Sequence, residues 1–109
     1  MNAKVLYIAI YRALECLESE MPNAELSAYL DKANPYVFKD RKSADPLIFL
    51  EFEQWMDSVE KEVSETDSFD LAQQYITEQT PFATIFEDIS RDEWNSLIEI
   101  IKEEEPELL

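Results

Sequence analysis

Not one glycine occurs among the 109 residues of this chain. Glycine adopts positive φ angles more readily than other residues, and the tight turns of β-hairpins depend on such angles. Without it, those turns could form only at asparagine or aspartate, which disfavours an architecture built from hairpins. The six phenylalanines, five tyrosines and two tryptophans are enough for a hydrophobic core, and they are atypical of a disordered chain. The sequence therefore predicts an all-α fold.

The most complete helical pattern runs over residues 46–63. Asp45 is a favourable N-cap, and Pro46 follows at the first helical position, where its missing N–H has no partner to lose. Seven apolar side chains fall within one arc of about 120° when residues are placed about 100° apart. They are Ile48, Phe49, Phe52, Trp55, Met56, Val59 and Val63. We expect this 46–63 helix to be the centre of the bundle, with the first and last helices packed against it.

Apolar residues at helical spacing predict five further helices. They cover residues 3–20, 24–33 and 68–79, a short segment from Pro81, and a last helix after Ser90. Ser90 and Glu93 have the spacing of a capping box, which marks the start of the last helix. The prediction is a single all-α domain over residues 1–109, a compact bundle of five or six short-to-medium helices. An acidic, frayed C-terminal tail is expected from about residue 103.

The helical periodicity also predicts whether a few apolar side chains are buried. Cys16 lies on the apolar arc of the first helix, where we expect a buried thiol. Leu47 and Leu50 lie outside the main arc of the 46–63 helix. Packing of that helix on two sides is the favoured explanation. An exposed partner site is the alternative. These leucines could also form a homodimer seam together with Ile8 and Tyr11, so the choice between monomer and homodimer stays open.

The chain contains no histidine and a single cysteine. This excludes Ser–His and Cys–His nucleophile pairs, imidazole bases and cysteine-based zinc sites. The lack of glycine also excludes phosphate-binding loops. The sequence therefore predicts a protein that is not an enzyme and that uses no cofactor or metal. One alternative is a Mg²⁺-dependent hydrolase using Glu62 and Glu65, as in all-α nucleotide pyrophosphatases, although the Glu-x-x-Asp motif of that family is missing.

Negative charge is concentrated in the second half of the chain, which has a formal net charge of −16. Residues 1–50 contain seven acids and six bases, whereas residues 51–109 contain eighteen acids and three bases. Such a surface repels nucleic acid and anionic membranes and complements a basic protein. The apolar run over residues 5–11 is too short to span a bilayer. We expect a cytoplasmic protein with a basic protein partner.

Two helices carry rows of polar, mostly acidic side chains. The first acidic row, on the 46–63 helix, is Glu53, Asp57 and Glu60; the second acidic row, on the last helix, is Asp92, Asn95, Glu99 and Glu103. Like charges at this spacing destabilise a helix by about 0.2–0.5 kcal/mol per pair. The rows therefore indicate either a docking surface or a means of keeping the protein dispersed.

The docking interpretation predicts a non-catalytic protein-binding module. Its sharpest form is an immunity or inhibitor protein that covers the basic site of a nucleic-acid-directed toxin or enzyme. A structural or homodimerising subunit is the remaining alternative.

Overall fold

Six α-helices and no strand occur in residues 3–59 and 68–108, the part of the chain that the computed structural model describes. The helices are α1 (Ala3–Glu20), α2 (Ala24–Ala33), α3 (Pro46–Val59), α4 (Ser68–Gln79), α5 (Ala83–Phe86) and α6 (Arg91–Glu104). A short 3-10 helix follows at Pro106–Leu108. The predicted all-α fold is confirmed. Residues 60–63 of the expected central helix lie outside the described residues.

Local side-chain hydrogen bonds explain where several helices begin. Asn23 caps α2 by accepting a hydrogen bond from the Leu26 N–H at 3.0 Å. The predicted capping box of α6 is present, with both Ser90 and Glu93 contributing their side chains. The predicted start of the fifth helix is wrong. The Thr80 hydroxyl accepts from the Phe82 N–H at 3.2 Å, which forms a turn before the helix, so α5 begins at Ala83.

The centre of the bundle is α1, not α3, and this corrects the expectation from sequence. α1 packs against each of the other five α-helices, and every residue from Val5 to Tyr11 is buried. A helix that is apolar on nearly all sides is surrounded by others. Ile8 and Tyr11 are therefore core residues, so the proposed seam through them is wrong.

One side of α3 faces away from the core. Phe49, Phe52 and Trp55 are buried, but the side chains of Leu47 and Leu50 are 60% and 47% exposed. The expected second packed side of this helix is therefore wrong. Cys16 is also exposed rather than buried, because it lies at the edge of the apolar arc of α1.

Aromatic side chains join the helices, and two of their clusters in the described residues contain three or more rings. Tyr7 of α1 packs edge-on against Phe49 and Phe52 of α3, with centroids 5.1 and 5.2 Å apart, and its hydroxyl donates to the Ala33 carbonyl at 2.6 Å. Phe69, Phe86 and Trp94 form the second cluster between α4, α5 and α6. In residues 3–59 and 68–108, no helix is long and apolar enough to cross a membrane.

Candidate functional site

The first acidic row is only partly described. Glu53 is half-buried and Asp57 is exposed, and neither makes an ion pair with another described residue. Glu60 lies outside the described residues, as do Glu62 and Glu65 of the hydrolase alternative. Within residues 3–59 and 68–108, no group of three or more acidic or cysteine side chains is placed to hold a metal ion.

The second acidic row lies on the solvent side of α6. All four of its side chains are exposed, while Trp94, Ile98 and Ile101 bury the opposite side of the helix. Lys102 lies 3.9 Å from Glu99, at the outer limit of an ion pair. The side chains of Asp92 and Glu103 make no hydrogen bond or ion pair with another described residue. The second acidic row is therefore a solvent-facing strip with little neutralisation.

The two rows lie on helices that share neighbours in the bundle. In the described part of the chain, α3 packs on α1, α2 and, through Phe52 and Trp55 against Tyr75, on α4, whereas α6 packs mainly on α1 and α4. The members of the second acidic row lie together on one face of α6, but the first acidic row is described only at Glu53 and Asp57. Of the two, only the second row is a complete candidate docking surface.

An ionic cluster that the sequence analysis missed lies at the end of α6. The Glu105 side chain is nearly buried and accepts hydrogen bonds from Arg41 Nε at 2.6 Å and from the Tyr36 hydroxyl at 3.1 Å. Beside it, Arg12 pairs with Glu104 at 2.7 Å. We call this group, Arg12, Tyr36, Arg41, Glu104 and Glu105, the ionic crevice. It holds the segment after α6 in place, so the fraying expected from about residue 103 is wrong for the described residues up to Leu108.

The charges in the ionic crevice stabilise one another. The hydrogen bond to Glu105 raises the pKa of Arg41 above its usual value. Burial, and then the charge of Glu105, raises the pKa of Tyr36 to about 12. The Arg41 guanidinium also lies over the Tyr36 ring, 5.2 Å from its centroid. Arg41 has a positive φ of 59°, which turns the loop so that the guanidinium reaches the chain end.

A second depression, which we call the acidic cleft, lies between the end of α1, the connection to α2, and α5. Its volume is about 360 Å³, and Leu17, Met21 and Ile85 provide its apolar surface. Glu20, Glu87 and Asp88 are its acidic groups, and none of its lining residues is basic. The sequence signal for this cleft was weak, because its two halves are more than sixty positions apart.

The chain is an all-α bundle in which Glu104 and Glu105 pair with arginines, whereas the acids on the outer face of α6 are largely unpaired among the described residues. No protein-family model, curated protein or solved structure matches the chain. The functional argument therefore depends on the geometry and charge of the described residues.

Proposed function

We propose that this chain is a non-catalytic protein-binding module, cytoplasmic in location, whose second acidic row docks on a basic surface of a partner protein. The observation that supports the proposal is that some acidic side chains are paired with bases inside the chain and others are not. Glu104 and Glu105 are paired with arginines inside the chain, whereas Asp92 and Glu103 are exposed and pair with no described base. Acids that make no ion pair inside the described part of the chain are available for a partner.

Electrostatic complementarity gives such a module fast and selective association. An exposed strip of one sign steers a partner of the opposite sign and rejects partners of the same sign. An immunity or inhibitor protein of a nucleic-acid-directed toxin or enzyme is the sharper form of this function. In that form, the carboxylates occupy a basic site that otherwise binds phosphates.

The test compares two charge reversals that match in number and position. Asp92→Lys with Glu103→Lys changes one acid in the first turn and one in the last turn of α6. Glu25→Lys with Asp31→Lys makes the same change on α2, where both side chains are also exposed. We expect the α6 variant to lose capture of a basic protein from a lysate of the source organism, and the α2 variant to retain it.

Salt dependence provides a second arm of the same experiment. Raising the ionic strength from a few millimolar to about 0.15 M shortens the Debye length to about 8 Å and should weaken capture by the unmodified chain. Undiminished capture by the α6 variant would refute the proposal. Equal loss with the α2 variant would indicate a general effect of net charge, which is the solubility interpretation.

A further inference from the structure

We infer that the acidic cleft is a binding pocket for a lysine or arginine side chain presented by an amphipathic basic peptide segment. This inference builds on the proposed function, because it gives the basic partner a specific anchoring point. It concerns a different part of the surface from the second acidic row.

The walls of the cleft are fixed by hydrogen bonds and packing. The Met21 N–H donates to the Leu17 carbonyl at 2.9 Å, and the Glu87 N–H donates to the Ala83 carbonyl at 3.2 Å. Phe86, next to both Ile85 and Glu87, is buried against Phe69 and Trp94. The cleft is therefore built into the fold and does not depend on a loose loop.

The interior of the cleft combines apolar surface with uncompensated negative charge. Leu17 and Ile85 line its inner surface, and Met21, 69% exposed, lies at its edge. Glu20, Glu87 and Asp88 are exposed and pair with no base in the described part of the chain. The last turn of α1 also has no basic residue, so the negative end of its helix dipole is not offset there.

A lysine or arginine side chain complements both features. Each has an apolar stem that can lie on the leucine, isoleucine and methionine, and a cationic head that can reach the carboxylates. The volume of about 360 Å³ lies at the small end of the ~300–1,000 Å³ range of ligand pockets, which suits one or two side chains. Asp88 also lies only four residues before Asp92, so one partner can contact the cleft and the second acidic row together.

The probe for this site is a capped nonapeptide in which lysine alternates with leucine. It is titrated into the full, isotope-labelled chain while backbone amide shifts are followed. We expect saturable shifts in residues 17–23 and 84–88. Glu87→Gln with Asp88→Asn should weaken binding about five- to tenfold, and Met21→Ser about threefold.

Matched variants and peptides separate the cleft from the rest of the surface. Asp92→Asn with Glu103→Gln removes the same number of charges from α6, and Leu50→Ser removes an exposed apolar side chain from α3; both should leave the affinity within about twofold. Peptides with glutamine in place of lysine, or serine in place of leucine, should bind more weakly.

Two outcomes would overturn the inference. Shifts centred on α6, with equal weakening by the α6 variant, would place the peptide on the second acidic row and leave the proposed function standing. No saturable binding would remove the cleft as a site, while lysate capture still tests the proposed function independently.

Discussion

The ionic crevice and the acidic cleft both border α1, but the carboxylates are paired with bases in the crevice and are unpaired in the cleft. In the crevice, Glu104 and Glu105 each pair with an arginine, and Glu105 is only 6% exposed. In the cleft, Glu20, Glu87 and Asp88 remain in solvent beside apolar side chains with no basic neighbour. The same residue type therefore stabilises the chain in one region and is left unneutralised in the other.

The difference follows from what burial requires of a charge. A carboxylate removed from water needs hydrogen bonds and an opposite charge, because the desolvation free energy is otherwise unfavourable. Glu105 has both, from Tyr36 and Arg41. An exposed carboxylate keeps its hydration and adds little to stability in either direction. Pairing thus distinguishes the acids that maintain the fold from those that a partner could use.

Alkaline pH should have the largest effect, because it ionises tyrosines. The crevice contains a tyrosine and the cleft does not, and further tyrosines lie in the core. Burial raises the pKa of Tyr36 to about 12, and burial likewise raises the pKa of the core residues Tyr7 and Tyr75. In the unfolded chain these groups lose their protons near pH 10. Their stabilisation is therefore complete below about pH 10 and is lost as the pH rises towards the folded values.

The expected slope is large enough to measure. Above about pH 11, Tyr7 and Tyr75 alone should lower the free energy of unfolding by roughly 2.7 kcal/mol per pH unit, about 1.4 for each. Tyr36, which is 42% exposed, should add a smaller amount until the pH reaches its pKa of about 12. Urea unfolding at a series of pH values checks the slope, and tyrosinate absorbance follows ionisation. Tyr36→Phe separates the two contributions, because it should remove the share of the crevice phenol and leave that of the core tyrosines in place. Reversible ionisation near pH 10 in the folded protein would contradict the prediction.

Glu105→Gln compares the two regions directly. The variant leaves Arg41 without its carboxylate partner and weakens the hydrogen bond from Tyr36. We expect the free energy of unfolding to fall by about 1–3 kcal/mol. Glu87→Gln in the cleft is the matched substitution and should change it by no more than about 0.5 kcal/mol. Urea unfolding at pH 7 measures both, and equal effects would mean that pairing does not distinguish the two groups of acids.

The sequence predicted those features of the molecule that depend on residues close together along the chain. The caps at Asn23 and Ser90 act over three positions, so the starts of α2 and α6 could be predicted from local spacing. The ionic crevice could not, because Arg41 and Glu105 are 64 residues apart. The central position of α1 also depended on contacts between distant segments, although Ile8 and Tyr11, which lie among the polar positions of this helix, were a sequence signal that could have indicated it.

The smallest expected effect concerns the exposed thiol of Cys16, which tests the charge of the cleft locally. It lies on α1 between Glu15, which borders the crevice, and Glu20, which borders the cleft. Glu20 is four positions further along the helix and therefore a neighbour of Cys16, so an anionic reagent at the thiol lies close to the Glu20 carboxylate, and a like-charge contact at this spacing is worth about 0.2–0.5 kcal/mol. Glu20→Gln should therefore speed the reaction of the native thiol with an anionic disulfide reagent by about 1.5- to 2-fold. The rate with neutral iodoacetamide should change less than the rate with the anionic reagent, and both rates should be unchanged in the Glu25→Gln control. A thiol that reacts only after unfolding would contradict the exposure of Cys16, and an equal effect of Glu25→Gln would show that the cleft has no local field of its own.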